Sequence, residues 1–288
     1  MPQSITQMKS ININSNAKVN IGLKILNKRS DGYHNISTVF QEIDLFDSIT
    51  ISKSDGPLKF SSNVEWLQND QNNLCVIAYN YIKNLYKIGG ANIVLKKNIS
   101  RGSGLGSGSS NAAATMKGLR EIYNLEVADS ELIKIGSKIG ADVPFFINGS
   151  TQVGEGIGEK LTSIRSSMDA QYLIVTPDIP IDTKWAYSQY KNNLDNCSSP
   201  TKFSDSFRGK TINLDTLKFF ENDFESVVFP TYPEIGAIKN KLIALGAKFA
   251  SLSGSGSTVY GIFDDDANID KAFSHFFPRH KTFIAHPV

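Results

Sequence analysis

The chain has 288 residues, 40% of them hydrophobic and 20% charged, with a formal charge of +2. That length supports a sizeable core and suits two domains better than one. The near-neutral balance argues against bulk attraction to nucleic acid or a membrane surface.

Taken in chain order, the N-terminal residues carry no signal-peptide core and read as a mobile tail. From Ala17 to Leu26 the pattern alternates, with Val19, Ile21, Leu23 and Ile25 on one side and Lys18, Asn20, Gly22 and Lys24 on the other. This predicts a half-buried strand with a polar face. A turn follows at 28–34 with Asp-Gly at its centre, then two strand-like runs, STVFQEI and SITISK. CVIAYNYIKNLYKIG predicts an amphipathic helix closed by Gly89 and Gly90, and ANIVLKK a strand. Next come a glycine-rich loop and a helix from about Gly108 to Tyr123, with Ala112, Met116, Leu119 and Tyr123 at helical spacing. DSELIKIGSKIG is a further short helix with Asp129 or Ser130 as its cap and Gly140 after its end. ADVPFFINGSTQVGEGIGEKL leaves the helix for strand and turn.

From Gln171 the order is strand, helix near 183–190, a polar segment to about 213, helix, strand, strand, helix and strand. Extra helices aside, this is the split β-α-β signature. Two α+β domains joined near 160–170 are predicted. Cys75 and Cys197 are far apart and lack metal-ligand spacing, as in a cytoplasmic protein with reduced thiols. No segment reaches the apolar length of a membrane span.

Glycine fills four of the seven positions from Gly102 to Gly108, and Ser109, Ser110 and Asn111 open the helix after it. Glycines let backbone approach a phosphate, while the helix start offers unpaired N–H groups and a positive dipole end. The loop fits neither the Walker pattern, which ends Gly-Lys-Ser/Thr, nor the dinucleotide fingerprint, because Ser107 or Ser109 falls at its sixth position. Asp142 lies just past a helix C-terminus, mildly unfavourable for a carboxylate by about 0.3–1 kcal/mol. Lys18 is a candidate to offset that. Tyr33 and His34 sit at the edge of the Asp-Gly turn, and Thr183 and Tyr187 share one helix face.

Together NAKVN, GSGLGSGSSNAA and LSGSGSTVYGIF resemble the three motifs of the GHMP kinase superfamily, from Ala17 to about Phe263. Asn16 stands where that family usually has proline, Ser107 where its loop has glycine, and Ser100 and Arg101 depart from its usual loop entry. DGYHNISTVFQ, GADVPFF and EGIGE are similar to a branch whose substrate carries a cytidine diphosphate head. The resemblance implies an α+β, two-domain GHMP kinase fold. Residues 1–165 would form the nucleotide-binding domain and 166–288 a ferredoxin-like split β-α-β domain.

It also implies an ATP- and Mg2+-dependent kinase of a small molecule, with neither nucleic acid nor membrane as partner, present as a monomer or weak homodimer. Asp142 and Lys18 would be catalytic. Gly102, Ser103, Gly104, Leu105, Gly106, Ser107, Gly108, Ser109, Ser110 and Asn111 would bind ATP. Asn20, Tyr33, His34, Thr183 and Tyr187 would bind the acceptor, with Tyr33 and Tyr187 closing on the base; no side chain is assigned to the metal. Another kinase of the superfamily, acting on homoserine, mevalonate or a sugar, is the nearest rival, and a non-catalytic nucleotide-binding module the second.

Overall fold

The computed structural model describes residues 10–68, 70, 72–194, 202–207, 210–264 and 268–288, with the side chains of 191–194 left aside. Residues 1–9, Cys197 and part of the polar 191–213 segment lie outside the described residues. In chain order the elements are β1 (Ser10–Lys28), β2 (His34–Ser54), β3 (Lys59–Ser62), α1 (Glu65–Gln68), α2 (Leu74–Tyr86), β4 (Gly90–Lys96), α3 (Ser107–Tyr123), α4 (Asp129–Ile139), α5 (Val143–Asn148), β5 (Thr151–Gly156), β6 (Lys160–Ser163), β7 (Arg165–Ser166), β8 (Gln171–Thr176), α6 (Thr183–Leu194), α7 (Phe203–Phe207), β9 (Thr211–Ile212), α8 (Glu225–Thr231), α9 (Pro233–Ala244), β10 (Phe249–Leu252), β11 (Val259–Phe263), α10 (Ile269–Phe276) and β12 (Lys281–Ala285). A 3-10 helix at Leu214–Phe219 precedes α8.

The chain packs as two compact units. One comprises Met1–Ser15, Phe46–Asn98 and Ser107–Asn148; the other comprises Asn16–Leu45, Ile99–Gly106 and Gly149–Val288.

In the first unit, residues 48–54 of β2 pair antiparallel with β4, and β3 lies parallel to β4. Ile49, Ile51, Ile93 and Leu95 are buried from the strands, and Ala78, Ile82, Met116 and Leu119 from α2 and α3. A Cβ on Gly118 of α3 would fall 2.7 Å from Ile13 and from Ile51, so that helix seats closely on the strands. Ile13 belongs to β1, which begins at Ser10. The residues just ahead of Ala17 are therefore strand rather than tail.

In the second unit, residues 36–41 of β2 pair antiparallel with β5, and β5 with β6. Strands β10, β11, β8 and β12 form an antiparallel sheet in that order, with α9 and α10 in the connections. This is the predicted split β-α-β arrangement. Both of its faces are covered: Tyr172 and Ile174 of β8 enter one apolar cluster, and Leu173 and Val175 the other. Alternation along a strand sends neighbours to opposite faces, which is why this run reads as continuously apolar.

Several local expectations are corrected. The two runs after the turn form one 21-residue strand, β2. Helix α2 closes at Lys87, which itself takes the left-handed conformation (φ 53°), not at the following glycines. Gly90 instead opens β4, where a Cβ would lie 1.6 Å from the Gly56 carbonyl oxygen. The cap residue of α4 is Ala128, without a side-chain bond. VPFFIN is helical, as α5.

Candidate active site

In the second unit, the polar face predicted for β1 is buried. Lys18 is 4% exposed and Asn20 2% exposed. An ammonium in that setting needs acceptors. Lys18 Nζ donates to Asn20 Oδ1 at 2.6 Å and to the Gly104 carbonyl at 3.0 Å. It also lies 5.3 Å from the centre of the Phe40 ring. The Asn20 amide is oriented from its other end: Nδ2 donates to Thr38 Oγ1, which donates to the Gly22 carbonyl. Oδ1 is thereby left to accept from Lys18. The Asn20 carbonyl accepts from the Tyr260 hydroxyl at 2.8 Å.

The glycine-rich loop is anchored in the same unit. Lys18 N–H donates to the Leu105 carbonyl, Ser253 Oγ to the Gly104 carbonyl, and Thr258 N–H to the Ser103 carbonyl. Gly102, Gly104 and Gly106 all have positive φ. At Gly104 glycine is doubly required, since a Cβ would lie 2.0 Å from the Ser253 carbonyl oxygen. At Gly102 nothing stands within 4 Å of that position. The third predicted motif is thus what the loop leans on, and its Gly254 and Gly256 are left-handed as well.

In the first unit, α3 begins at Ser107. Ser107 Oγ accepts from Lys97 Nζ at 2.7 Å, and Lys97 pairs with the fully buried Asp47 at 2.6 Å. Buried Ser110 and Asn111 share one partner, as Ser15 Oγ lies 2.7 Å from both Ser110 Oγ and Asn111 Oδ1. Ser109 is half-buried, with its Oγ 3.6 Å from where a Cβ on Gly140 would stand.

Asp142 follows the end of α4, as expected, but it also directly precedes Val143, the first residue of α5. The start of a helix favours a carboxylate, so the predicted penalty is countered. At the other end of α5, Lys117 Nζ donates to the Phe146 carbonyl at 2.9 Å.

The residues expected to meet the acceptor are all in the second unit. Tyr33 is 61% exposed. His34 stacks on Tyr187, with centroids 4.9 Å apart and planes 8° from parallel. Burial, and then the charge of Lys28, push the His34 pKa below its ordinary value. Its Nε2 is buried without a hydrogen-bond partner among the described residues. Thr183 Oγ1 and Ser255 Oγ are hydrogen-bonded at 2.9 Å, which ties α6 to the third motif.

Sequence reasoning missed Ser15, Thr38, Asp47 and Lys97. No local pattern marks them, because each acts on a partner distant in the chain. The Asn16 departure does have a local consequence: its Nδ2 donates to Glu42 Oε1, and Glu42 Oε2 accepts the Ser150 N–H.

Residues 73–150 match the GHMP kinases N terminal domain, and residues 209–280 the GHMP kinases C terminal domain. The chain is 37% identical over 261 residues to the 4-diphosphocytidyl-2-C-methyl-D-erythritol kinase of Acetivibrio thermocellus, covering 90% of this chain and 92% of that one. With the enzyme of the same name from Clostridium acetobutylicum it shares 37% over 286 residues, covering 96% and 100%. A crystal structure of 4-(cytidine 5'-diphospho)-2C-methyl-D-erythritol kinase superposes with a TM-score of 0.79 at 26% identity, covering 96% of this chain and 98% of that one. A homoserine kinase from Cytophaga hutchinsonii shares the fold, with a TM-score of 0.70 at 15% identity and coverage of 100% and 97%. The chain belongs to the GHMP kinases, ATP-dependent enzymes, and within them to the 4-diphosphocytidyl-2-C-methyl-D-erythritol kinases.

Proposed function

We propose that this protein transfers the γ-phosphoryl group of ATP to the 2-hydroxyl of 4-diphosphocytidyl-2-C-methyl-D-erythritol, giving ADP and the 2-phosphate. The observation that carries the reading is the buried Lys18, bonded both to Asn20 and to the carbonyl of Gly104 in the glycine-rich loop. A solvated strand face, the bland alternative for Lys18 and Asn20, does not bury an ammonium.

Phosphoryl transfer demands positioning and charge neutralisation more than covalent help. Backbone N–H groups across 102–110 receive the phosphates, with Ser109, Ser110 and Asn111 at the helix start. Asp142 accepts the hydrogen bond of the attacking hydroxyl and takes its proton. Lys18 stabilises the charge that develops, and Asn20 holds Lys18 in place. Tyr33, His34, Thr183 and Tyr187 receive the cytidine head; the ring surfaces of His34 and Tyr187 support this. Mg2+ bound with ATP would supply positive charge to offset that of the phosphates. Among the described residues no cluster of three or more His, Cys, Asp or Glu side chains could hold a metal ion.

The family's two halves divide at 165/166 in this reading, with the matched segments falling on either side. No helix among the described residues is long and apolar enough to cross a membrane; a cytoplasmic monomer or weak homodimer is our proposal. ADP release measured against a panel of alcohols tests the function. Turnover is expected with the cytidylylated methylerythritol and not with homoserine, mevalonate or a hexose. Preference for one of those three would refute the assignment.

A further inference from the structure

Four consecutive residues, Asn222 to Glu225, each bond or pack elsewhere in the second unit. Asn222 Nδ2 donates to the carbonyls of Leu252 and Gly254 at 2.7 and 2.8 Å, and Asp223 N–H donates to the Leu23 carbonyl of β1 at 2.9 Å. Glu225 Oε1 accepts the Leu252 N–H at 2.9 Å, and Oε2 pairs with Lys239. The Phe224 ring meets Tyr187 of α6 edge-on, with centroids 4.9 Å apart. The Asp223 carboxylate is the member that packing does not require. Its Oδ2 accepts from the Ile25 N–H of β1 at 2.7 Å and from the Tyr190 hydroxyl of α6 at 3.0 Å. Burial pushes its pKa above the ordinary value, and the Ile25 N–H, the charge of Lys24 and the Tyr190 hydroxyl pull the other way. Apolar side chains of similar volume would seat the helix without desolvating a charge. One acceptor with two donors from separate elements instead fixes where those elements stand, because both bonds must converge on a single oxygen. Tyr190 lies three residues after Tyr187, on the same side of α6.

We infer that Asp223 is a positioning residue for the acceptor site. Through Tyr190 it sets the turn of α6 that carries Tyr187 relative to β1, and so holds the Tyr187 ring against His34. Phe224 supports that ring from the side. This rests on the reading above in which Tyr187 receives the cytidine head. It assigns part of the grip on the base to residues that act through Tyr187 rather than on the ligand.

Steady-state kinetics and urea unfolding of the full chain test the inference on Tyr190→Phe, Asp223→Ala, Tyr187→Ala and the double variant Tyr187→Ala with Tyr190→Phe. Tyr190→Phe keeps the ring and the Ile25 bond and deletes one hydroxyl. It should raise KM for the cytidylylated methylerythritol about fivefold, the scale of one net hydrogen bond, with kcat and KM for ATP unchanged. Asp223→Ala should raise the same KM at least as much. In the Tyr187→Ala background, where the positioned ring is gone, Tyr190→Phe should add nothing further. A merely structural bond would lower the unfolding midpoint and leave KM alone. Unchanged KM in Tyr190→Phe therefore overturns the inference, as does an equal rise in KM for ATP or a full further rise in the double variant. The Tyr190 variants decide the question if Asp223→Ala does not fold. Unchanged KM in Tyr187→Ala itself would overturn the base-site reading, and the inference with it.

Discussion

Buried polar residues in this chain are committed in pairs, and their commitments define their roles. The Asn20 side-chain oxygen accepts from Lys18 and its amide nitrogen donates to Thr38, which fixes the orientation of the amide. The aromatic residues meet through ring faces and edges, Tyr187 against both His34 and Phe224. Replacing Tyr187 with alanine removes the ring that stacks on His34. Base stacking on an aromatic ring is worth about 1–3 kcal/mol. Tyr187→Ala and Tyr33→Ala should each raise KM for the cytidylylated substrate about tenfold while changing kcat little. Steady-state kinetics checks this, and an unchanged KM in either variant removes that ring from the site. His34 brings a pH dependence of stability. Its pKa is lowered from 6.5 by burial and by Lys28. A depressed imidazole contributes stability that is complete above about 6.5 and is lost as pH falls through the folded-state value. Urea unfolding between about pH 7 and about pH 5 should therefore show the unaltered protein losing more stability than His34→Asn. An equal loss in both would contradict the assignment.

Among the elements, the loop at 99–106 is held through its carbonyls by side chains and backbone N–H groups far away in sequence, and it packs closely on Ser253 at Gly104. Gly104→Ala forces a methyl group toward the Ser253 carbonyl in a left-handed backbone. It should cost about 2 kcal/mol or more, from strain and overpacking together. Gly102→Ala shares only the backbone strain, because its surroundings are open, and should cost about 1 kcal/mol. Denaturant unfolding separates the two, and equal costs would contradict the packing described. The same loop shows what the sequence made legible. Its glycine density and the serines after it pointed to a loop leading into a helix, and the structure has both, with positive φ at Gly102, Gly104 and Gly106.

Strand β1 was legible in position but not in burial. Alternation assigns Lys18 and Asn20 to a solvent face, while their partners at Thr38, Gly104 and Tyr260 carry no local mark. Continuity of β2 through Asp44 and Asp47 was hidden for a related reason. Aspartate is rare inside strands, but Asp44 accepts the His286 N–H and Asp47 pairs with Lys97. Helix α5 was hidden by Pro144, which reads as a breaker although the first helical turn tolerates it.

At the scale of the whole molecule, packing and descent divide the chain along different lines. The compact units are interleaved in sequence, with β1 and β2 each contributing to both. The family matches, at 73–150 and 209–280, are contiguous. Composition had nothing to say about interleaving, since a charge of +2 and an ordinary apolar fraction suit any such arrangement. Nor could it show that Lys18 falls in one unit and Asp142 in the other. Single-turnover phosphoryl transfer to the cytidylylated alcohol by Asp142→Asn probes that division of labour most directly. The account predicts a rate about a hundredfold lower or more, the scale of general-base loss, with ATP affinity retained. A rate close to that of the unaltered protein would contradict it.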